Sequence, residues 1–355
     1  MITTLYPNSF LITFLLVSCV PSSSKNQPID LGNEDTAHQN LSSTNDFEDT
    51  SYPNEPEDVE CDGMLGQEMD FTITEHFSNW LTRHNYDASK VARTDIVGGS
   101  FGGMISNSDC VHKEPIIFIH GNSDQAILGT FGGWEKSREY FLSQGYRSSE
   151  LYATTYGLPP LQPSSTYTHD QENILQIRQF IEAVLQYTEA DKIDIIAHSL
   201  GVTMTRRAIL GGSEHNIDGS EYQIGAPLTN KIDTFLGIAG ANQGLSSCAL
   251  VDPAAPVCHK ELGLYPGWWD GMSVVDRSTI LDTLNDEERY EGSFIYSMWT
   301  ANDAILGPNC LVWGVNSCKI PEQDGEYSVL WLDHLGLKTD TVASQYSMVV
   351  EHIIP

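Results

Sequence analysis

Ala197-His198-Ser199-Leu200-Gly201 sets a serine between small residues where an apolar run, 193–196, gives way to a helix-forming stretch, 200–210. A serine at a strand-to-helix turn is held in a strained backbone conformation with its hydroxyl above the sheet, as a nucleophile requires. Small residues two positions away on either side let strand and helix approach. Gly201 does so outright, and Ala197 adds only a methyl group. The helix N-terminus brings unpaired backbone N–H groups and the positive end of its dipole to a developing oxyanion. The chemistry this predicts is acyl transfer through Ser199.

A serine hydroxyl needs a base, and the base needs a carboxylate to orient it. Around such a turn the chain order is serine, acid, histidine. Of eleven histidines, only His215, His259, His334 and His352 follow Ser199. His215 lies beside Gly211-Gly212 and reads as surface, His259 adjoins Cys258 in a long insertion, and His352 ends a terminal helix carrying Val342, Tyr346 and Val349. His334, between a short strand and that helix, is the expected general base. The acid belongs to the loop after the preceding strand, which selects Asp303 in Trp299-Thr300-Ala301-Asn302-Asp303. Asp270 and Asp276 fall in the insertion, and Asp333 is too near His334 in sequence. As the immediate neighbour of the nucleophile, His198 is expected to turn its side chain away from the pocket. His120-Gly121-Asn122 follows the strand ending at Ile119, so the backbone N–H groups of Asn122 and Leu200 are the expected oxyanion donors, with the His120 ring structural. The reaction needs no cofactor and no metal.

The elements that must hold these residues alternate. Apolar runs at 115–119, 151–156, 193–196, 234–239 and 294–299 read as strands. Helices are expected at 134–144, at 200–210, and behind the capping box Thr168-x-x-Gln171, where Ile174, Ile177, Ile181 and Val184 recur at helical spacing. Strand–helix alternation implies an α/β fold with a mainly parallel sheet. An insertion at about 245–292 carries Tyr265-Pro266-Gly267-Trp268-Trp269 and reads either as a cap over the site or as an aromatic mini-core. The glycine-rich stretch 98–103 lacks the lysine of a phosphate loop and reads as a turn. Glu214-His215-Asn216-Ile217-Asp218 reads as a plain polar loop.

The N-terminal part is different in kind. Residues 10–17 form an apolar run of signal-peptide length, too short to span a bilayer. The run ends Leu16-Val17-Ser18-Cys19, which resembles the lipobox of bacterial lipoproteins, with Cys19 as the lipidated residue. The expected organisation is a leader at 1–19, an acidic tether at 20–65 and a catalytic domain at 66–355. Residues 26–60 carry ten acids and no lysine or arginine, a composition that cannot offset its own ordering entropy. Without Cys19, six cysteines remain; the near neighbours Cys248–Cys258 and Cys310–Cys318 are expected to pair, leaving Cys61–Cys110. Each short loop so closed contributes about 2–3 kcal/mol. With no C-x-x-C pair, a metal site is not expected. The net charge of −30 repels nucleic acid and anionic headgroups and suits an uncharged substrate.

With these residues placed, the chain from about 110 to 352 resembles the α/β-hydrolase lipases of class 2, and is similar to lipase-like extracellular polyhydroxyalkanoate depolymerases. The matching segments are His120-Gly121-Asn122 with Asp124 and Ala126, 194–204 across the serine, 240–248, Ala254-Ala255-Pro256-Val257-Cys258, Tyr265-Pro266-Gly267-Trp268 and 334–341. Alanine at position 197 also fits bacterial lipases. The resemblance implies an α/β-hydrolase fold and a triad of Ser199, Asp303 and His334 acting on a hydrophobic ester. An exported lipase or esterase, secreted or anchored to a membrane through Cys19, is the leading expectation. Depolymerisation of poly(3-hydroxybutyrate) by the same triad is the alternative. A catalytically inactive binding module is the reading from another class. Oligomeric state is not legible.

Overall fold

The runs at 116–119 and 193–197 become central strands because no charge faces solvent from either side. Ile116 to Ile119, and Ile193 with Ile195 to Ala197, are fully buried, as suits strands covered on both faces. The computed structural model describes residues 71–159, 161–250 and 255–355. The leader, Cys19, the whole acidic tether and Cys61 lie outside them.

In chain order, α1 (Glu75–Arg83) and α2 (Ala88–Ala92) precede the short strand β1 (Ser100–Phe101). Then come β2 (Ile116–Ile119), α3 (Glu135–Ser143), β3 (Leu151–Thr154), α4 (Gln171–Thr188), β4 (Ile193–His198) and α5 (Leu200–Leu210). The hairpin β5–β6 (Gly212–His215, Glu221–Gly225) leads into β7 (Ile232–Ile238). Next are the hairpin β8–β9 (Trp268–Trp269, Val274–Val275), α6 (Thr279–Asp286) and β10 (Phe294–Thr300). The hairpin β11–β12 (Leu311–Val312, Val315–Asn316) precedes β13 (Gly325–Val329), α7 (His334–Thr339) and α8 (Val342–Val350).

The main sheet among the described residues runs β1-β3-β2-β4-β7-β10-β13. All its neighbours are parallel except β1 with β3. The expected mainly parallel α/β sheet is therefore present, with β4 at its centre. Ser199 follows β4, Asn122 follows β2, Asp303 follows β10 and His334 follows β13. All four leave carboxyl ends of parallel strands, the edge where open α/β sheets place their sites.

Local expectations fail where long-range partners outweigh local pattern. The stretch 98–103 contains β1, which pairs antiparallel with β3. The expected polar loop at 214–218 is half of the β5–β6 hairpin. The cap of α4 is Asp170, whose carboxylate accepts from Asn173 N at 2.9 Å. Thr168 instead donates to the Leu262 carbonyl at 2.5 Å. His352 lies past the end of α8 and stacks on Phe294, ring centres 3.7 Å apart.

The insertion between β7 and β10 is fastened to the sheet layer at several points. Cys248–Cys258 closes its first part, with Cα atoms 5.2 Å apart, and Cys310–Cys318 closes the loop carrying β11–β12 at 5.8 Å. Arg206 of α5, wholly buried, meets Glu291 at 2.8 Å and donates to Asn242, Asn285 and the Leu284 carbonyl. The Leu262 carbonyl also accepts from His169 N at 3.0 Å and lies 2.8 Å from His169 Nδ1.

Burial pulls the His169 imidazole down to about 4, and the bond to Leu262 only partly counters it. The unfolded chain therefore takes up that proton first as pH falls. Stability from this group is intact above the unfolded value of about 6.5 and is lost as pH drops towards 4. Relative to His169→Gln, the parent should lose on the order of 3 kcal/mol across that window, read from urea unfolding at several pH values. A pH-independent difference between the two proteins would refute this.

Candidate active site

Ser199 sits at φ 54°, ψ −127°, a conformation that side chains rarely adopt, and its N–H donates to the Ile238 carbonyl at 2.8 Å. The turn is tight enough to dictate its neighbours. A Cβ on Gly201 would lie 2.3 Å from the His120 carbonyl oxygen, and one on Gly121 would lie 2.9 Å from Ser199 Cβ. The loop after β2 and the turn after β4 are thus in backbone contact. Ala197 is fully buried, and its register partner in β7 is Gly237, which offers no side chain to compete for the space.

His334 opens α7. The cap of that helix is Asp333, whose carboxylate accepts from Gly336 N at 2.7 Å, so this acid is occupied as a helix cap. His334 Nδ1 lies 2.7 Å from Oδ2 of Asp303, which is 1% exposed. The other oxygen of Asp303 accepts from Ile305 N and Leu306 N, each at 2.8 Å. Three donors therefore fix the carboxylate, and it fixes the ring. The other downstream histidines do different work. His215 lies beside Glu214 and Glu261, His259 Nδ1 accepts from two backbone N–H groups, and His352 stacks on Phe294.

The two expected oxyanion donors flank the serine. No acceptor among the described residues takes the N–H of Asn122 or Leu200. The Asn122 side chain donates to the Ser164 carbonyl at 2.9 Å, tying its loop to the one after β3. Two residues on, the Asp124 carboxylate meets Lys338 Nζ of α7 at 2.7 Å, both side chains buried. Lys338 also donates to the Phe131 carbonyl at 3.2 Å. This ion pair links the loop after β2 to the helix that His334 begins, and nothing in the local sequence signals it.

His120 is structural, as expected. Its ring stacks on Tyr156 at 4.2 Å, Nδ1 lies 2.7 Å from the Gly121 carbonyl, and Nε2 accepts from Tyr156 N. Burial brings its imidazole down to about 4. His198 is 2% exposed, its ring lying against His334, centres 4.7 Å apart, with Nε2 3.1 Å from the His334 carbonyl oxygen, a contact its sequence position does not signal.

Glu114, Asp194 and Asp233 bring carboxylate oxygens within 4.8 Å of one another near the amino ends of β2, β4 and β7. That is the opposite edge of the sheet from Ser199. Burial pushes the Asp194 carboxyl well above its ordinary value, and Lys192 meets Asp233 at 2.8 Å, so proton and ammonium relieve the crowding.

Among solved structures, the chain is similar to the mature lipase BlEst2 of Bacillus licheniformis, at 12% identity over 70% of this chain and 96% of that one, TM-score 0.44. It is also similar to the monoacylglycerol lipase of Paleococcus ferrophilus, at 14% identity over 72% and 98%, TM-score 0.42. Lipase B of Aspergillus fumigatus matches at 14% identity over 66% of this chain and 48% of that one, TM-score 0.43. The family profile described as Lipase (class 2) matches residues 113–347. The chain therefore belongs to the class 2 lipases, carboxylic ester hydrolases of the α/β-hydrolase fold.

Proposed function

We propose that this lipase cleaves uncharged, water-insoluble acyl esters through a Ser199–His334–Asp303 triad and an acyl-enzyme. The observation that carries the triad is the buried 2.7 Å bond between His334 and Asp303, beside the strained turn of Ser199. In this reading Ser199 Oγ attacks the ester carbonyl carbon while His334 Nε2 takes its proton. Asp303, hydrogen-bonded to Nδ1–H, holds the tautomer and steadies the imidazolium. The N–H groups of Asn122 and Leu200 receive the oxyanion. The imidazolium returns the proton to the leaving alcohol. Water, deprotonated by His334, then releases the acid. A fluorophosphonate probe should label one residue, Ser199, located by peptide mass shift. Labelling elsewhere, or none, would defeat the triad and favour an inactive binding module.

The substrate class is supported by an apolar rim beside the site. Ile305 follows Asp303 by two residues, and Leu330 and Trp331 precede His334; all three are exposed. Trp268, Trp269 and Met272 of the β8–β9 hairpin and Trp313 of the β11–β12 hairpin are exposed as well. Trp313 Nε1 donates to the Pro266 carbonyl at 3.1 Å, joining the two hairpins. Exposed large apolar side chains in this number suit an apolar interaction surface, and the net charge of −30 favours a neutral one. Trp331→Ser should lower the rate on emulsified triolein about tenfold, the loss of roughly 1.4 kcal/mol of adsorption, and leave a soluble short-chain ester nearly unaffected. Equal losses on both substrates would remove the rim from the account. Release of fatty acid from triolein, run beside clearing of amorphous poly(3-hydroxybutyrate), separates acylglycerol from polyester. The acylglycerol is the expected substrate.

Export accords with the Cys248–Cys258 and Cys310–Cys318 disulfides, since such bonds persist in oxidising compartments. In this reading the enzyme acts outside the cytoplasm, secreted or held at the cell envelope through lipidated Cys19.

A further inference from the structure

We infer that His198 is a positioning residue for the general base, its Nε2–H holding the main-chain carbonyl of His334 to the residue next to the nucleophile. The inference rests on the triad reading and deepens it. His198 ends β4 and is 2% exposed, its Nε2 3.1 Å from the His334 oxygen and its ring tilted 48° against the His334 ring.

The protonation state follows from the partner. A carbonyl only accepts, so Nε2 must carry the proton and Nδ1 is left with a lone pair. Nδ1 is buried and meets no donor among the described residues. It faces Gly121, where an added Cβ would lie 3.0 Å from it. A buried acceptor without a partner is destabilising, so a side chain present only to fill space would better be apolar. The donor on the other side of the ring is what distinguishes histidine from phenylalanine here. Burial, and after it the neighbouring His334 and Lys338, keep the imidazole well below its ordinary range. His198 is therefore a neutral donor that adds no positive charge beside the imidazolium formed at His334.

Sequence distance shows what the bond accomplishes. Ser199 and His334 come from strands at different places in the sheet, yet one side-chain hydrogen bond spans the 136 residues between elbow and base. The path from nucleophile to base runs through one peptide unit, one imidazole and one carbonyl. Slack in that path moves the base relative to Ser199 without disturbing the pocket that binds substrate.

The test compares His198→Phe, which keeps a ring and loses the donor, with His198→Gln, whose Nε2 reaches a similar position. On a soluble ester, kcat of His198→Phe should fall about tenfold with KM little changed, as expected for misplaced reacting groups. His198→Gln should recover most of that loss. The thermal midpoint of His198→Phe should change little, because the unpartnered Nδ1 and the bond to the His334 carbonyl are lost together. Should His198→Phe not fold, His198→Leu replaces it in the same comparison. Unchanged kcat in the donor-less variant, or an equal loss in His198→Gln, would overturn the positioning role. Ser199→Ala runs alongside as the reference. Activity surviving in it sinks the triad itself, whereas a dead Ser199→Ala with an unaffected His198→Phe sinks only this inference.

Discussion

Asp303→Asn should lower kcat by about 10⁴-fold while the protein stays folded. The asparagine amide can keep one oxygen towards Ile305 N and Leu306 N, which now donate to the carboxylate at 2.8 Å each. Its NH₂ group then faces His334 Nδ1, where the carboxylate Oδ2 stands at 2.7 Å. An N–H donor at that point forces Nδ1 to accept, so the proton moves to Nε2, the nitrogen that must take the serine proton. The loss should appear in kcat on a soluble ester, with KM little changed. Asp333→Ala is the matched control. Asp333 is nearer to His334 in sequence, but its carboxylate caps α7, so its loss should cost about 1 kcal/mol of stability and spare the chemistry. If Asp303→Asn kept a tenth of the parent rate, another acid would have to orient the base.

Lys338→Met should destabilise the protein by about 3–5 kcal/mol, the largest single effect expected away from the reacting groups. Burial pulls the Lys338 ammonium below its ordinary value, and Asp124, 2.7 Å away, counters that pull. Removing the lysine leaves the Asp124 carboxylate 2% exposed, with only long contacts at 3.3 and 3.4 Å from Phe131 N and Gly133 N. The cost is that of an unpaired charge in a place water cannot reach. Replacing both partners, as in Asp124→Leu with Lys338→Met, should recover most of it, because the pair's mutual attraction mainly offsets its own desolvation. Urea midpoints of the two single variants and the double variant form the cycle. Additive losses would show that the two side chains do not act together.

The parts of this molecule legible in its sequence are those written in short, repetitive signals. Four consecutive apolar residues at 116–119, and three isoleucines among the four residues 193–196, with Gly201 five residues beyond the second run, specify buried strands and a tight turn. Chain order around such a turn singles out Asp303 and His334 as candidates, and the fold brings the two within 2.7 Å of each other. The unread parts depend on partners far along the chain. β1 is two residues long and exists because β3 lies beside it. Thr168 has the sequence of a cap, yet its hydroxyl goes to Leu262, 94 residues on. His198 is bonded to a His334 carbonyl that only the folded sheet brings near, 136 residues along the chain. Lys338 and Asp124 are both in segments that carry the family resemblance, but their pairing spans 214 residues and leaves no local trace.

The fastening of the insertion has a consequence for the time course of the enzyme. Arg206, His169 and Thr168 hold this segment by groups that are themselves buried in the sheet layer. Opening it would expose an unpaired guanidinium and several unsatisfied carbonyls at once. Such a segment belongs to the same cooperative unit as the core and separates from it only at a free energy near that of global unfolding. A slow activating phase on first contact with substrate is then not expected to arise from the anchored residues Leu262, Leu284, Asn285 and Glu291.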